Sequence, residues 1–143
     1  MSSKLYLEID TKRTEAVFRL QSGKNIERGR RLADEARALF ATMPADDPRY
    51  GDLSASMATL ALEVGNLHEA EALMKQCIDL DQGRLTPNIL GTHYMFLAQL
   101  LKNQARWDEA EDYVLRAIDA PFGEIGFSYA MLREIREAKL RRP

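Results

Sequence analysis

The sequence predicts an all-α protein, built as an array of antiparallel helical hairpins. Two observations predict this fold: apolar residues recur at steps of three or four, and the segment around Ala70 is repeated around Ala110. The 143 residues include one cysteine and no run of about 18 apolar residues, so we expect no disulfide framework and no membrane span. We therefore expect a single cytoplasmic domain over residues 1–143.

Helical periodicity extends over most of the chain. Ile26, Gly29, Ala33, Ala36 and Phe40 are spaced by three or four positions, which places them on one face of a helix. The pairs Asp47-Pro48 and Thr86-Pro87 put a capping side chain before a proline, as is typical of helix starts. The same reasoning predicts seven helices, near 11–22, 25–43, 48–64, 67–81, 87–104, 107–119 and 122–140.

The segment 5–9 is compatible with two structures. Its alternation of apolar and polar residues fits a strand, whereas Leu5, Ile9, Ala16 and Leu20 also fit an earlier start of the first helix. We favour the helix, because a lone strand would leave its backbone hydrogen-bonding groups unpaired.

An internal repeat links the two central hairpins. The segment Glu69-Ala70-Glu71 recurs further along the chain as Glu109-Ala110-Glu111. The pattern Gly65-x-Leu67-x-x-Ala70-x-x-x-Met74-x-x-Cys77 resembles the second half of a tetratricopeptide repeat. So does Ala105-x-Trp107-x-x-Ala110-x-x-x-Val114-x-x-Ala117.

This resemblance is to the long-helix variant of the tetratricopeptide repeat that kinesin light chains contain. It implies an α-solenoid with repeat pairs near 48–81 and 87–119, followed by a final helix near 122–140. A third, degenerate pair is expected near 11–43, because Ala36 precedes Ala70 by the usual length of such a repeat.

The resemblance also implies a function. In that family the first helix of each pair lines a concave groove that binds a protein or peptide. Carried over to this chain, the expected groove residues are Thr59, Leu62, Glu63, Met95, Gln99, Lys102 and Asn103, with Asp52, Ala55 and Thr92 beside them. Family members that bind a terminal carboxylate use Lys and Asn where Ala55, Thr59, Met95 and Gln99 stand here, so we expect no such clamp. We predict a non-enzymatic adaptor.

The last predicted helix has an unusually wide apolar arc of roughly 220°, whereas burial on one side needs only about 100°. We hypothesise that a second chain or partner covers it, through Phe127, Met131 and Ile135. The competing explanation is that the N-terminal segment folds back over this helix. The alternative function is therefore a chaperone-like or regulatory module that binds a partner, or a second copy in a homodimer, through the final helix.

Reactive residues are sparse and scattered. Cys77 follows the core periodicity, and neither His68 nor His93 has a metal ligand at a suitable spacing. We expect no catalytic residue, no metal site and no cofactor. The acidic middle of the chain, residues 44–120, argues against nucleic acid as a partner, because phosphates would be repelled there.

Overall fold

A computed structural model describes residues 2–80, 85–120 and 125–141. These described residues contain no strand and form seven helices: α1 Ser2–Ser22, α2 Ile26–Phe40, α3 Tyr50–Glu63, α4 Leu67–Leu80, α5 Pro87–Asn103, α6 Trp107–Asp119 and α7 Ile125–Arg141. The all-α array of hairpins is confirmed, and the segment 5–9 is helical as favoured. The predicted helix limits at 81 and 122 lie outside the described residues.

The chain divides into two compact units, Met1–Leu80 and Asp81–Pro143. The first unit contains two antiparallel hairpins, α1 with α2 and α3 with α4, and α1 also packs on α3. Arg49, just before α3, donates to the hydroxyl of Ser3 at 3.2 Å, and Gln21 donates to Glu63 at 2.8 Å. The start of α1 contacts the start of α3, and the end of α1 contacts the end of α3. The two helices are therefore parallel, as alternate helices are in a stacked hairpin array.

The two prolines at predicted helix starts behave differently. The Thr86 hydroxyl accepts from the amide of Ile89, and Pro87 occupies the first turn of α5, as predicted. Asp47 does not cap α3, so the prediction of a capping side chain before Pro48 is wrong, although the helix begins close to the predicted limit. The Asp47 carboxylate accepts from the amide of Arg49 at 2.9 Å, which closes a turn, and the helix begins only at Tyr50.

The turn before α4 and the turn before α6 repeat each other. Gly65 and Ala105 occupy matching positions of the repeat, and both have positive φ values, of 83° and 58°. The next amide, of Asn66 or Arg106, donates to a carbonyl five positions earlier, at 2.9 Å and 3.0 Å. Equivalent small or apolar side chains are buried in both copies of the repeat: Ala58 and Ala98, Leu60 and Leu100, Ala70 and Ala110.

The first hairpin belongs to this repeat in a different register from the one expected. Helices α2 and α4 begin at Ile26 and Leu67, a separation longer than that between Ala36 and Ala70. Ala36 therefore corresponds to Cys77, and the residue equivalent to Ala70 is Gly29. The helices approach closely here, because a Cβ on Gly29 would lie 3.1 Å from the Cβ of Arg19. Glycine in place of alanine hides this register in the sequence.

The second unit contains the hairpin of α5 and α6 with α7 packed on α6. Glu111 of α6 accepts from Arg136 at 2.7 Å and from Lys139 at 2.8 Å. On α5, Lys102 donates to Glu134 at 2.9 Å. Within its own unit α7 thus lies beside both helices of the preceding hairpin.

Candidate functional site

Three of the expected groove residues lie on α3, on the side that the core of the first unit leaves open. Leu62 is 38% exposed, while Thr59 and Glu63 are half-buried. The Thr59 hydroxyl donates to the carbonyl of Ala55 at 3.4 Å. Glu63 accepts the hydrogen bond from Gln21, which joins the open side of α3 to that of α1.

The open side of α1 continues this surface, and sequence reasoning missed it. The register that aligns Ile26 with Leu67 also matches Thr11, Thr14, Phe18 and Gln21 of α1 with Asp52, Ala55, Thr59 and Leu62 of α3. Phe18 is 58% exposed and Leu7, further along the same stripe, is 61% exposed. The spacing of Leu7, Thr11, Thr14 and Phe18, by four, three and four positions, carries the signal. It is hidden because two threonines interrupt this stripe, whereas the apolar residues that predict the helix, such as Ile9 and Ala16, mark its buried side.

We call this surface the α1–α3 face. It consists of five residues from each helix: Leu7, Thr11, Thr14, Phe18 and Gln21, with Asp52, Ala55, Thr59, Leu62 and Glu63. A shallow depression of about 510 Å³ lies along α1 and is lined by Asp10, Thr11, Thr14, Glu15 and Phe18. The face offers exposed apolar side chains between hydroxyl groups, a combination that is typical of protein-binding surfaces.

The flank of α1 that faces α2 is held by ion pairs. Glu15 accepts from Arg28 and from Arg19, each at 2.6 Å, and Lys12 donates to Glu35 at 2.7 Å. The hydrogen bonds from Arg28 and then Arg19 lower the pKa of the Glu15 carboxyl to about 2, and the bond with Glu15 raises the pKa of the Arg28 guanidinium. These contacts attach α1 to α2 and so present the α1–α3 face on a fixed helix.

The four expected groove residues on α5 belong to the second unit, where α7 covers part of their surface. Met95 is 7% exposed, and its sulfur accepts from the hydroxyl of Ser128 at 3.4 Å. Lys102 pairs with Glu134 and keeps only 16% of its side chain exposed. Gln99 donates to Asn103 at 2.9 Å in an exposed contact. Of the four, Asn103 is exposed and Gln99 is half-buried.

The structure also places the three residues expected at an interface on α7. Met131 and Ile135, at 3% and 0% exposure, belong to the core of the second unit, together with side chains of α5 and α6. Packing beside both helices of the hairpin accounts for the part of the apolar arc that Met131, Leu132 and Ile135 form. Phe127 and its neighbour Tyr129 remain 53% and 56% exposed, so an interface on this helix would use these rings.

Groups with reactive chemistry are dispersed. Cys77 is buried in α4, at the position that corresponds to the small residue Ala36 in the first hairpin. Within the described part of the chain, no three His, Cys, Asp or Glu side chains come together so as to hold a metal ion. None of the seven described helices has the length and apolar character needed to cross a bilayer.

Comparison with known proteins adds no family. No protein-family model matches the sequence, and no curated protein matches it significantly.

Proposed function

We propose that this chain is a non-enzymatic adaptor with tetratricopeptide-like hairpins, and that its α1–α3 face binds a protein or peptide partner in the cytoplasm. The observation that carries the proposal is the exposure of Phe18 and Leu62 on one face of two parallel helices. The repeated hairpin turns at Gly65 and Ala105 support the likeness to tetratricopeptide repeats.

The exposed apolar side chains set the scale of the binding energy. Fully burying a Phe or Leu side chain contributes about 1.5–3 kcal/mol. Because Phe18 is 58% exposed and Leu62 38% exposed, covering both contributes about 1.5–3 kcal/mol in total before the costs of association. Aromatic residues held on a rigid backbone are the usual centres of such interfaces. Thr11, Thr14 and Thr59 add hydroxyl groups that can bond to the backbone of a bound segment.

A second candidate surface is α7, where Phe127 and Tyr129 lie on either side of the buried Ser128 and are each more than half exposed. In this alternative the chain is a regulatory or chaperone-like module, or a homodimer, that associates through the last helix. Sedimentation of the purified chain tests the homodimer, because a species that remains monomeric at tens of micromolar contradicts it.

Selection of random peptides displayed on phage tests the proposal against the alternative. We expect the purified chain to enrich a set of peptides that the double variant Phe18→Ser, Leu62→Ser no longer binds. A variant with Leu115→Ser, which removes a 40% exposed leucine from α6, is the matched control and should retain binding. Circular dichroism must show an unchanged helix content for each variant.

Two results would contradict the proposal. One is the absence of any enriched peptide. The other is a set of peptides whose binding depends on Phe127 and Tyr129 but not on Phe18 and Leu62, which would favour the alternative.

A further inference from the structure

The charged side chains of the α1–α3 face have the same sign. Its ten residues include two charged ones, Asp52 and Glu63, and both are acidic. Neither carboxylate forms an ion pair with another residue that the structure describes. The hydrogen bond that Glu63 accepts comes from the neutral amide of Gln21, so the charge of Glu63 is not compensated by this contact.

The cations of the first unit are mostly bound to acids elsewhere. Arg19 and Arg28 are held by Glu15, and Lys12 is held by Glu35. Arg37 of α2 pairs with Glu69. These ion pairs lie mainly between α1 and α2 or between α2 and α4. Lys12 and Arg28 also line a depression together with Leu7 and Thr11, and Arg37 lines a cleft together with Glu63, each of the three cations being paired with an acid.

Further cations border the face. Arg13, which pairs with Asp10 at 2.7 Å, also donates to the hydroxyl of the face residue Thr14 at 3.0 Å. Lys4 lies one turn before Leu7, near the start of α1, whereas Glu63 contacts Gln21 at the opposite end of that helix. Arg30 and Arg37 line a cleft of about 360 Å³ that Glu63 also borders, but Arg37 pairs with Glu69, and neither arginine forms an ion pair with Glu63 among the described contacts. The face itself therefore has an acidic character with an apolar centre.

We infer that the α1–α3 face binds a basic segment of a partner protein, one in which an arginine or lysine lies beside an apolar residue. This inference rests on the proposed function and specifies the chemistry of the partner. The apolar residue packs on Phe18 and Leu62, and the cation pairs with Glu63. An arginine at that position also lies near the ring of Phe18, which is one turn before Gln21, so a cation–π contact adds to the ion pair.

The helix geometry sets a second requirement for the segment. Asp52 precedes Glu63 by eleven positions, which is about 16 Å along α3 at about 1.5 Å per residue. An extended segment covers this distance in about five residues at roughly 3.3–3.6 Å each. A second basic residue about five positions from the first therefore reaches Asp52.

The peptides enriched on phage provide the test, since their composition is not chosen in advance. We expect them to contain two basic residues about five positions apart, with an apolar residue next to one of them. The dissociation constants of synthetic copies are then measured by fluorescence polarisation. Glu63→Gln keeps the shape of the side chain and a group able to bond with Gln21, and Asp52→Asn likewise removes only the charge.

Each of these two variants should weaken binding about two- to fivefold at low salt, as removal of an exposed ion pair does, and the difference should shrink at high salt. Glu27→Gln, at an exposed position of α2, is the matched control and should leave the dissociation constant unchanged. Replacing both basic residues of the peptide with glutamate should abolish binding.

The possible outcomes separate this inference from the proposed function. Enriched peptides that are acidic or uncharged, but still depend on Phe18 and Leu62, overturn the inference and leave the adaptor function in place. Equal binding of the peptides by the parent and by the double variant Asp52→Asn, Glu63→Gln also overturns the inference and leaves the adaptor function in place. Self-association that this double variant abolishes would make a second copy the occupant and would also overturn the inference. The absence of any enriched peptide would contradict both proposals.

Discussion

The two equivalent turns predict opposite effects of exchanging glycine and alanine. Ala105 adopts a left-handed conformation with φ of 58°, which costs an L-residue with a Cβ about 1–2 kcal/mol. Ala105→Gly removes this strain, but the greater conformational freedom of glycine in the unfolded chain lowers the free energy of unfolding by about 0.4–1 kcal/mol. Since Ala105 is exposed and loses no core packing, we expect a net stabilisation of about 0.5–1 kcal/mol.

Gly65→Ala is the reverse experiment at the matching position. No heavy atom lies within 4 Å of a Cβ built on Gly65, so backbone strain is the source of its cost. We expect destabilisation by about 0.5–1 kcal/mol. Gly65→Ala is followed by circular dichroism in urea, and Ala105→Gly by the fluorescence of Trp107, the single tryptophan of the sequence.

The control for glycine itself is Ala130→Gly, at an exposed helical position of α7, which should destabilise by about 1 kcal/mol. The slope of the free energy against urea should not change in any of the variants, because none changes the surface that unfolding exposes. If Ala105→Gly destabilises the second unit as Ala130→Gly does, the argument that both turns share a left-handed residue is refuted.

Three other predictions concern the cores and the ion pairs. Gly29→Val should destabilise by about 1–3 kcal/mol, because the added carbons overlap Arg19 where α1 and α2 approach most closely; urea unfolding followed by circular dichroism measures this, and unchanged stability would contradict it. Ile135→Ala should destabilise by about 2–5 kcal/mol, because Ile135 is fully buried between α7 and its hairpin; the fluorescence of Trp107 reports the loss, and a value below about 1 kcal/mol would contradict the assigned core. The pKa of Glu15 is about 2 in the folded protein, below its ordinary value of 4.5, so its contribution to stability is present above pH 4.5 and is lost as the pH falls towards 2. The stability of Glu15→Gln, measured by urea unfolding at each pH, should therefore fall less than that of the parent between pH 4.5 and 2. Identical curves for the two proteins would show that the ion-pair network does not couple to folding.

The fold could largely be predicted, because helix periodicity and local turn chemistry are encoded in neighbouring residues. Thr86 and Pro87 start α5 as expected, since both signals act within one turn of helix. Ala70 and Ala110 are matched correctly from the sequence because the residues around them are also similar. The first hairpin is misaligned by the same reasoning, because Gly29 replaces the alanine that marks this position in the other two.

The candidate site was less predictable, because exposure depends on which helices pack together. The wide apolar arc of α7 suggests an external partner when the sequence is considered alone. Part of this arc, including Met131 and Ile135, is buried because the helix lies beside both α5 and α6, while Phe127 and Tyr129 stay exposed. No periodicity distinguishes a residue that faces a neighbouring helix of the same unit from one that faces a second molecule. The α1–α3 face is missed for a related reason, since the apolar residues that predict α1, such as Ile9 and Ala16, mark its buried side and not its open side.

The contrast between α5 and α1 supports a binding role for the α1–α3 face. On α5, the side where a partner was expected is partly closed, since Met95 lies under α7 and Lys102 is paired with Glu134. The first helix of the other unit carries Leu7 and Phe18 on its open side, each more than half exposed. Apolar side chains on the open side of a helix add little to the stability of the unit and favour aggregation. If the face binds a partner as proposed, Phe18→Ser should weaken that binding. Because Phe18 is 58% exposed, the substitution should cost the fold no more than about 1 kcal/mol.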